Sequence, residues 1–93
     1  MNEAIGTVET RGLPAAIQAA DTMVKTSNVK LLDLDYVGSG LVAATVTGEV
    51  AAVKAAVENA VETAGAISEV ISSNVIPRPT DEVDKLFKGA DEQ

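Results

Sequence analysis

Between Gly48 and Gly65 the apolar residues Val50, Val53, Val57, Ala60, Val61 and Ala64 recur at three- and four-residue steps, the strongest periodicity in the chain. A stripe at that spacing is the apolar face of a helix, and it must be buried against another element. Its side chains are small, and among all 93 residues only Tyr36 and Phe87 are aromatic. The core is therefore expected to consist of Ala, Val, Leu and Ile, which favours a helix lying close on a sheet. The same scarcity of rings argues against an aromatic ligand pocket and against a surface that stacks bases. A formal net charge of -7 opposes binding to phosphate backbones, so nucleic acid is not expected as a partner.

The remaining segments supply the partners for that helix. Ala4 to Thr10, with Ile5 and Val8 ahead of Arg11-Gly12, reads as a strand closed by a turn. Pro14 suits a first helical turn, where its missing N–H costs nothing. Leu13, Ala16, Ile17, Ala20 and Met23 then form an apolar stripe that predicts a helix ending near Ser27-Asn28. Val29 to Val37 alternates, with Leu32, Leu34 and Tyr36 expected on one face and Asp33 and Asp35 on the other. Gly38-Ser39-Gly40 follows, and Leu41 to Thr47 alternates again, so the pair reads as a hairpin. After Gly65, the run Ala66 to Val75 predicts a last strand, stopped by Pro77-Arg78-Pro79. Thr80 is placed to cap a short C-terminal helix carrying Val83, Leu86 and Phe87, and the polar residues from about 88 onward read as a frayed tail.

The order strand-helix-strand, strand-helix-strand predicts an α+β fold of the split βαβ, ferredoxin-like kind: a four-stranded antiparallel sheet with both main helices on one face. The chain has room for one domain, expected over residues 1–87 with a tail over 88–93. It contains no cysteine and no histidine, which removes disulfides, thiolate nucleophiles, imidazole bases and the usual zinc ligands. The N-terminus lacks the basic and apolar pattern of a secretory signal, and no stretch reaches the roughly 18 apolar residues of a membrane span. No membrane partner and a cytosolic setting are expected.

Four strings at matching separations carry a resemblance: EAIGTVETRGLPAAIQAADTMVKTSNV, YVGSGLV, TGEVAAVKAA and VIPRP. Over about Glu3 to Phe87 the chain resembles the shell proteins of bacterial microcompartments that carry a single BMC domain and form hexamers. The resemblance implies a cyclic homo-hexamer that tiles edge to edge, with other shell proteins, into the facets of a shell around encapsulated enzymes. It implies that Gly38, Ser39 and Gly40 line a pore on the sixfold axis through which small-molecule metabolites pass. It also implies that Lys25, Asn28 and Arg78 knit neighbouring hexamers, with no cofactor, no metal and no catalytic residue.

Read alone, Gly38-Ser39 is a two-residue hairpin turn and Lys25 and Arg78 are solvated surface cations. A hairpin tip is nonetheless a suitable place for a pore rim. Asp35 and Tyr36, expected at the pore vestibule, stand where relatives are often basic or polar, so a strongly cationic funnel is not expected. Thr47 and Thr80 likewise replace residues that are commonly arginine and histidine in the family. The rival readings are an enzyme or small-ligand-binding regulator on a ferredoxin-like sheet, resting on Glu9, Asp33, Asp35 or Lys54, and an adaptor binding through Val83, Leu86 and Phe87. No base is paired with a nucleophile at a readable spacing, and Gly38-Ser39-Gly40 is too short to cradle a phosphate.

Overall fold

A computed structural model describes residues 3–26 and 28–77. Six elements follow in the expected order: β1 (Ala4–Arg11), α1 (Leu13–Thr26), β2 (Val29–Gly38), β3 (Leu41–Gly48), α2 (Val50–Gly65) and β4 (Val70–Ile76). The strands form one sheet in the order β2-β3-β1-β4, with every neighbouring pair antiparallel. This is the four-stranded split βαβ sheet that the sequence predicts. The short helix expected from Thr80 lies outside the described residues.

Close approach of α2 to the sheet follows from one small residue. Ala4, Gly6, Val8 and Thr10 alternate onto the helix-covered face of β1, opposite Gly48, Val46, Ala44 and Val42 of β3. A methyl group added at Gly6 would stand 2.6 Å from a Val53 methyl and 2.8 Å from one of Val57. Glycine there lets two β-branched side chains of α2 lie directly on the strand. The core is then closed by Val8, Ala44 and Val46 of the sheet, Val53, Ala56, Val57, Ala60 and Ala64 of α2, and Ala15, Ala19, Ala20 and Met23 of α1.

Where the two helices meet, the apolar contact is interrupted by a chain of hydroxyls. The Gln18 amide donates to Thr22 Oγ1 at 3.1 Å, the Thr22 and Thr63 hydroxyls lie 2.7 Å apart, and Thr63 Oγ1 is 3.4 Å from the Ala60 carbonyl. With the Thr63 proton directed at that carbonyl, Thr22 is the donor between the two threonines. The chain satisfies half-buried polar groups and fixes how α1 sits along α2.

Three local expectations are corrected. In α1 the buried residues are Ala15, Ala16, Ala19, Ala20 and Met23, while Ile17 is 51% exposed. The helix presents alanines because larger side chains would hold it away from α2. In β2 the register shifts between Leu31 and Asp33, so Leu31, Leu34 and Tyr36 share the helix side and Leu32 is the inserted residue. Period-two counting across that bulge assigns Leu32 to the wrong set. Residues 66–69 form a turn, so β4 starts at Val70, with Ile67 and Ser68 donating their N–H groups back to the Ala64 carbonyl.

Candidate functional site

The hairpin joining β2 to β3 is built from consecutive residues with positive φ: Gly38 at 97°, Ser39 at 56° and Gly40 at 78°. Gly38 pairs with Leu41, so the two-residue loop is Ser39-Gly40 and not the expected Gly38-Ser39, with positive φ at both positions, as the twist of two antiparallel strands favours. A methyl group at Gly38 or Gly40 would meet nothing within 4 Å. Within one chain these glycines are therefore required by backbone conformation, not by space. The tip is exposed and presents the Ser39 hydroxyl and the loop peptides to solvent.

Lys25 and Asn28 lie at the other end of the molecule. Lys25 occupies the last turn of α1 and holds Asp21 Oδ2 at 3.0 Å, an exposed i,i+4 pair that contributes only about 0.3–0.5 kcal/mol. Asn28 is exposed just before Val29, which pairs with Gly48, while Gly48 pairs in turn with Ala4. Ile76, paired with Ile5, brings β4 to this same end, and Pro77 follows it. Arg78 lies outside the described residues. The sheet thus separates the glycine tip from Lys25, Asn28 and Pro77 by the length of its strands.

Asp35 and Tyr36 are not brought together. Asp35 lies opposite Ala43 and Tyr36 opposite Val42, on opposite faces of the sheet, and Tyr36 is 68% exposed. The residue that shares a row with Asp35 is Glu9, because both pair with Ala43. Asp33, two positions back, joins them on the face that the helices leave open. Sequence spacing could not show Glu9 there, since that contact requires the order of the strands. Thr47 is buried and its hydroxyl donates to the Ala4 carbonyl at 2.8 Å, which ties β3 to the start of β1. Among the described residues, no three carboxylates are grouped to hold a metal ion, and no helix is long and apolar enough to cross a membrane.

Both outer strands carry apolar side chains that the chain itself does not cover. Leu31, Leu34 and Val37 are exposed on β2, and Ile71 and Ile76 on β4, with Ile67 just before it. An edge strand with uncovered aliphatic residues and unpaired backbone groups is a template for association.

The BMC domain family matches residues 4–79. The chain is 51% identical over 85 residues to the bacterial microcompartment shell protein PduA of Salmonella typhimurium, covering 91% of this chain and 90% of that one. It is 47% identical over 85 residues to the shell protein EutM of Escherichia coli, covering 91% and 88%. To the carboxysome shell protein CcmK2 of Synechocystis it is 41% identical over 89 residues, covering 94% and 86%. A crystal structure of a microcompartments protein from Desulfitobacterium hafniense superposes with a TM-score of 0.83 at 31% identity. That alignment covers 96% of this chain and 48% of the Desulfitobacterium chain, so the present chain spans about half of it.

Proposed function

The chain belongs to the BMC-domain family and is a bacterial microcompartment shell protein, and from that premise we propose that it closes into hexamers that tile into a sheet perforated at Gly38, Ser39 and Gly40. The observation that supports this reading is that Gly38–Gly40 and the pair Lys25 and Asn28 lie at opposite ends of one sheet. In a ring, one end of each protomer meets the axis and the other meets the next ring. A hairpin tip of Gly38-Ser39-Gly40 suits the axis, where six copies must approach with little side-chain bulk. Lys25 and Asn28, with Arg78 on its Pro-Arg-Pro segment, suit the outer edge, where long polar side chains reach across to a neighbouring tile.

Ring closure is supported by the two sheet edges. β2 and β4 are different surfaces, so joining one to the other is a head-to-tail contact, which closes into a ring when the rotation per subunit permits. The pore would then pass small polar metabolites by exposed peptide groups and the Ser39 hydroxyl. Asp35, Glu9 and Asp33 on the open face oppose a strong preference for anions. The work of the protein on this reading is assembly and selective diffusion, without a chemical step, alongside other shell proteins and the enzymes they enclose.

Negative-stain electron microscopy with mass measurement in solution tests the reading. The unaltered protein is expected as hexamers that form sheets or tubes. Lys25→Ala is expected to leave hexamers and abolish sheets. Persistent sheets in that variant would refute the edge assignment, and a monomer at high concentration for the unaltered protein would refute the tile.

A further inference from the structure

Three segments distant in sequence converge behind the hairpin tip. The Gly12 N–H donates to the Gly40 carbonyl at 2.8 Å, which is the bond, among the described backbone contacts outside the strand ladders, that ties the tip to the rest of the fold. The Gly12 carbonyl in turn accepts from the Thr10 hydroxyl at 3.1 Å. Thr10 is fully buried, so its hydroxyl has no water to turn to and holds the Gly12–Leu13 peptide from the core side, next to the Arg11–Gly12 peptide whose N–H meets Gly40. On the other flank, the Arg11 N–H donates to the Glu69 carbonyl at 2.9 Å and Arg11 Nε to Glu69 Oε1 at 3.1 Å. The β1–α1 turn is thereby gripped twice, once from the core through Thr10 and once from the α2–β4 connection through Glu69.

We propose that Thr10, Gly12 and the Arg11–Glu69 pair form a brace that sets the position of the Gly38–Gly40 loop, making Thr10 and Glu69 positioning residues for the pore; the inference rests on that loop being the pore rim. Side-chain positions at Gly38 and Gly40 face open space, so beyond the Gly38–Leu41 pair that closes the hairpin, the Gly12–Gly40 bond is what holds the tip. Leu41, at the end of the loop, pairs with Arg11, the residue next to Gly12, so the location of the tip follows the β1–α1 turn. A pore diameter set by six such loops depends on six copies of this brace. Thr10 and Glu69 touch no passing solute and act only through Gly12 and Arg11.

Amide hydrogen exchange on the whole 93-residue chain tests the brace directly. Thr10→Val keeps the shape of the side chain and removes the hydroxyl. It is expected to speed exchange at the Gly12 amide by about two- to tenfold, since the bond lost at the adjoining carbonyl is worth that range and loosens the turn that keeps Gly12 on Gly40, while the β3 amides stay unchanged. Thr10→Ser is expected to restore the slow rate. Glu69→Ala is expected to give a smaller increase, about two- to fivefold, reversed by the charge-swapped pair Arg11→Glu with Glu69→Arg. An unchanged Gly12 rate in Thr10→Val, or no recovery in Thr10→Ser, would overturn the proposal. Ionic conductance across sheets of the same variants separates the brace from the pore. Altered conductance accompanying faster exchange supports both, whereas faster exchange with identical conductance keeps the brace and counts against the loop as the rim.

Discussion

Two glycines in this chain are needed for unrelated reasons, and substitution distinguishes them. Gly40 sits at φ 78° with open space around it, so alanine there costs backbone energy alone, about 1–2 kcal/mol. Asparagine, which tolerates the left-handed region, is expected to cost less than alanine at the same position. Ser39 already bears part of this cost at φ 56°, and Ser39→Gly is expected to be neutral or to stabilise by up to about 1 kcal/mol once the freer unfolded chain is counted. Urea unfolding midpoints at a fixed protein concentration rank these variants; Gly40→Ala equal to or milder than Gly40→Asn would reject the conformational account. The turn was readable in the sequence because two glycines set between alternating runs can join neighbouring strands at positive φ, where most residues are strained. The role of Gly6 was not, because nothing local to AIGTV states which helix will lie on it.

At the scale of elements, Gly6 sets the distance between α2 and the sheet. Gly6→Ala drives a methyl group into Val53 and Val57, whose branched side chains have little rotameric freedom in a helix, and is expected to destabilise by about 1–3 kcal/mol. Removing the obstacle should return part of the loss: the double variant with Val53→Ala is expected to fall short of the sum of the two single effects, as thermal or urea unfolding will show. Strict additivity would mean that α2 shifts as a body rather than clashing at that point. The helices were legible because their stripes repeat over four turns, and α2 in particular buries Val53, Val57, Ala60 and Ala64 as expected. β2 was legible as a strand and in its facing from Asp33 to Tyr36, but not across Leu32, where one inserted residue reverses the residues before it relative to those after it and leaves no mark in composition. The exposure of Ile17 was hidden for a related reason. A helix that packs through alanines places its larger apolar residues on the flank, which reverses the usual reading of size as burial.

At the scale of the molecule, the described chain has more aliphatic side chains than its own core uses. Leu34 is 37% exposed and Ile71 36%, on opposite outer strands, while the buried set is dominated by alanine and valine. A chain of 93 residues with so light a core gains from covering these edges with another copy of itself. The proposed pore loop and tile edge, at the two ends of the sheet, are suggested by the sequence only through the four strings that resemble the family, since a turn and two exposed polar residues have no distinctive chemistry alone. The sheet edges carry a separate consequence. Leu34→Glu or Ile71→Glu places a charge where head-to-tail closure would bury an aliphatic side chain, on a chain whose formal charge is already -7. Neither residue belongs to the closed core, so the far-ultraviolet circular dichroism of each variant is expected to match the parent. Sedimentation is expected to show loss of hexamers in favour of monomers or small oligomers, a failure one step earlier than the loss of sheets expected for Lys25→Ala. Hexamers that persist in both edge variants would mean that β2 and β4 do not form the ring contact, and closure would have to be sought on the helix surface that carries Ile17 and Val24.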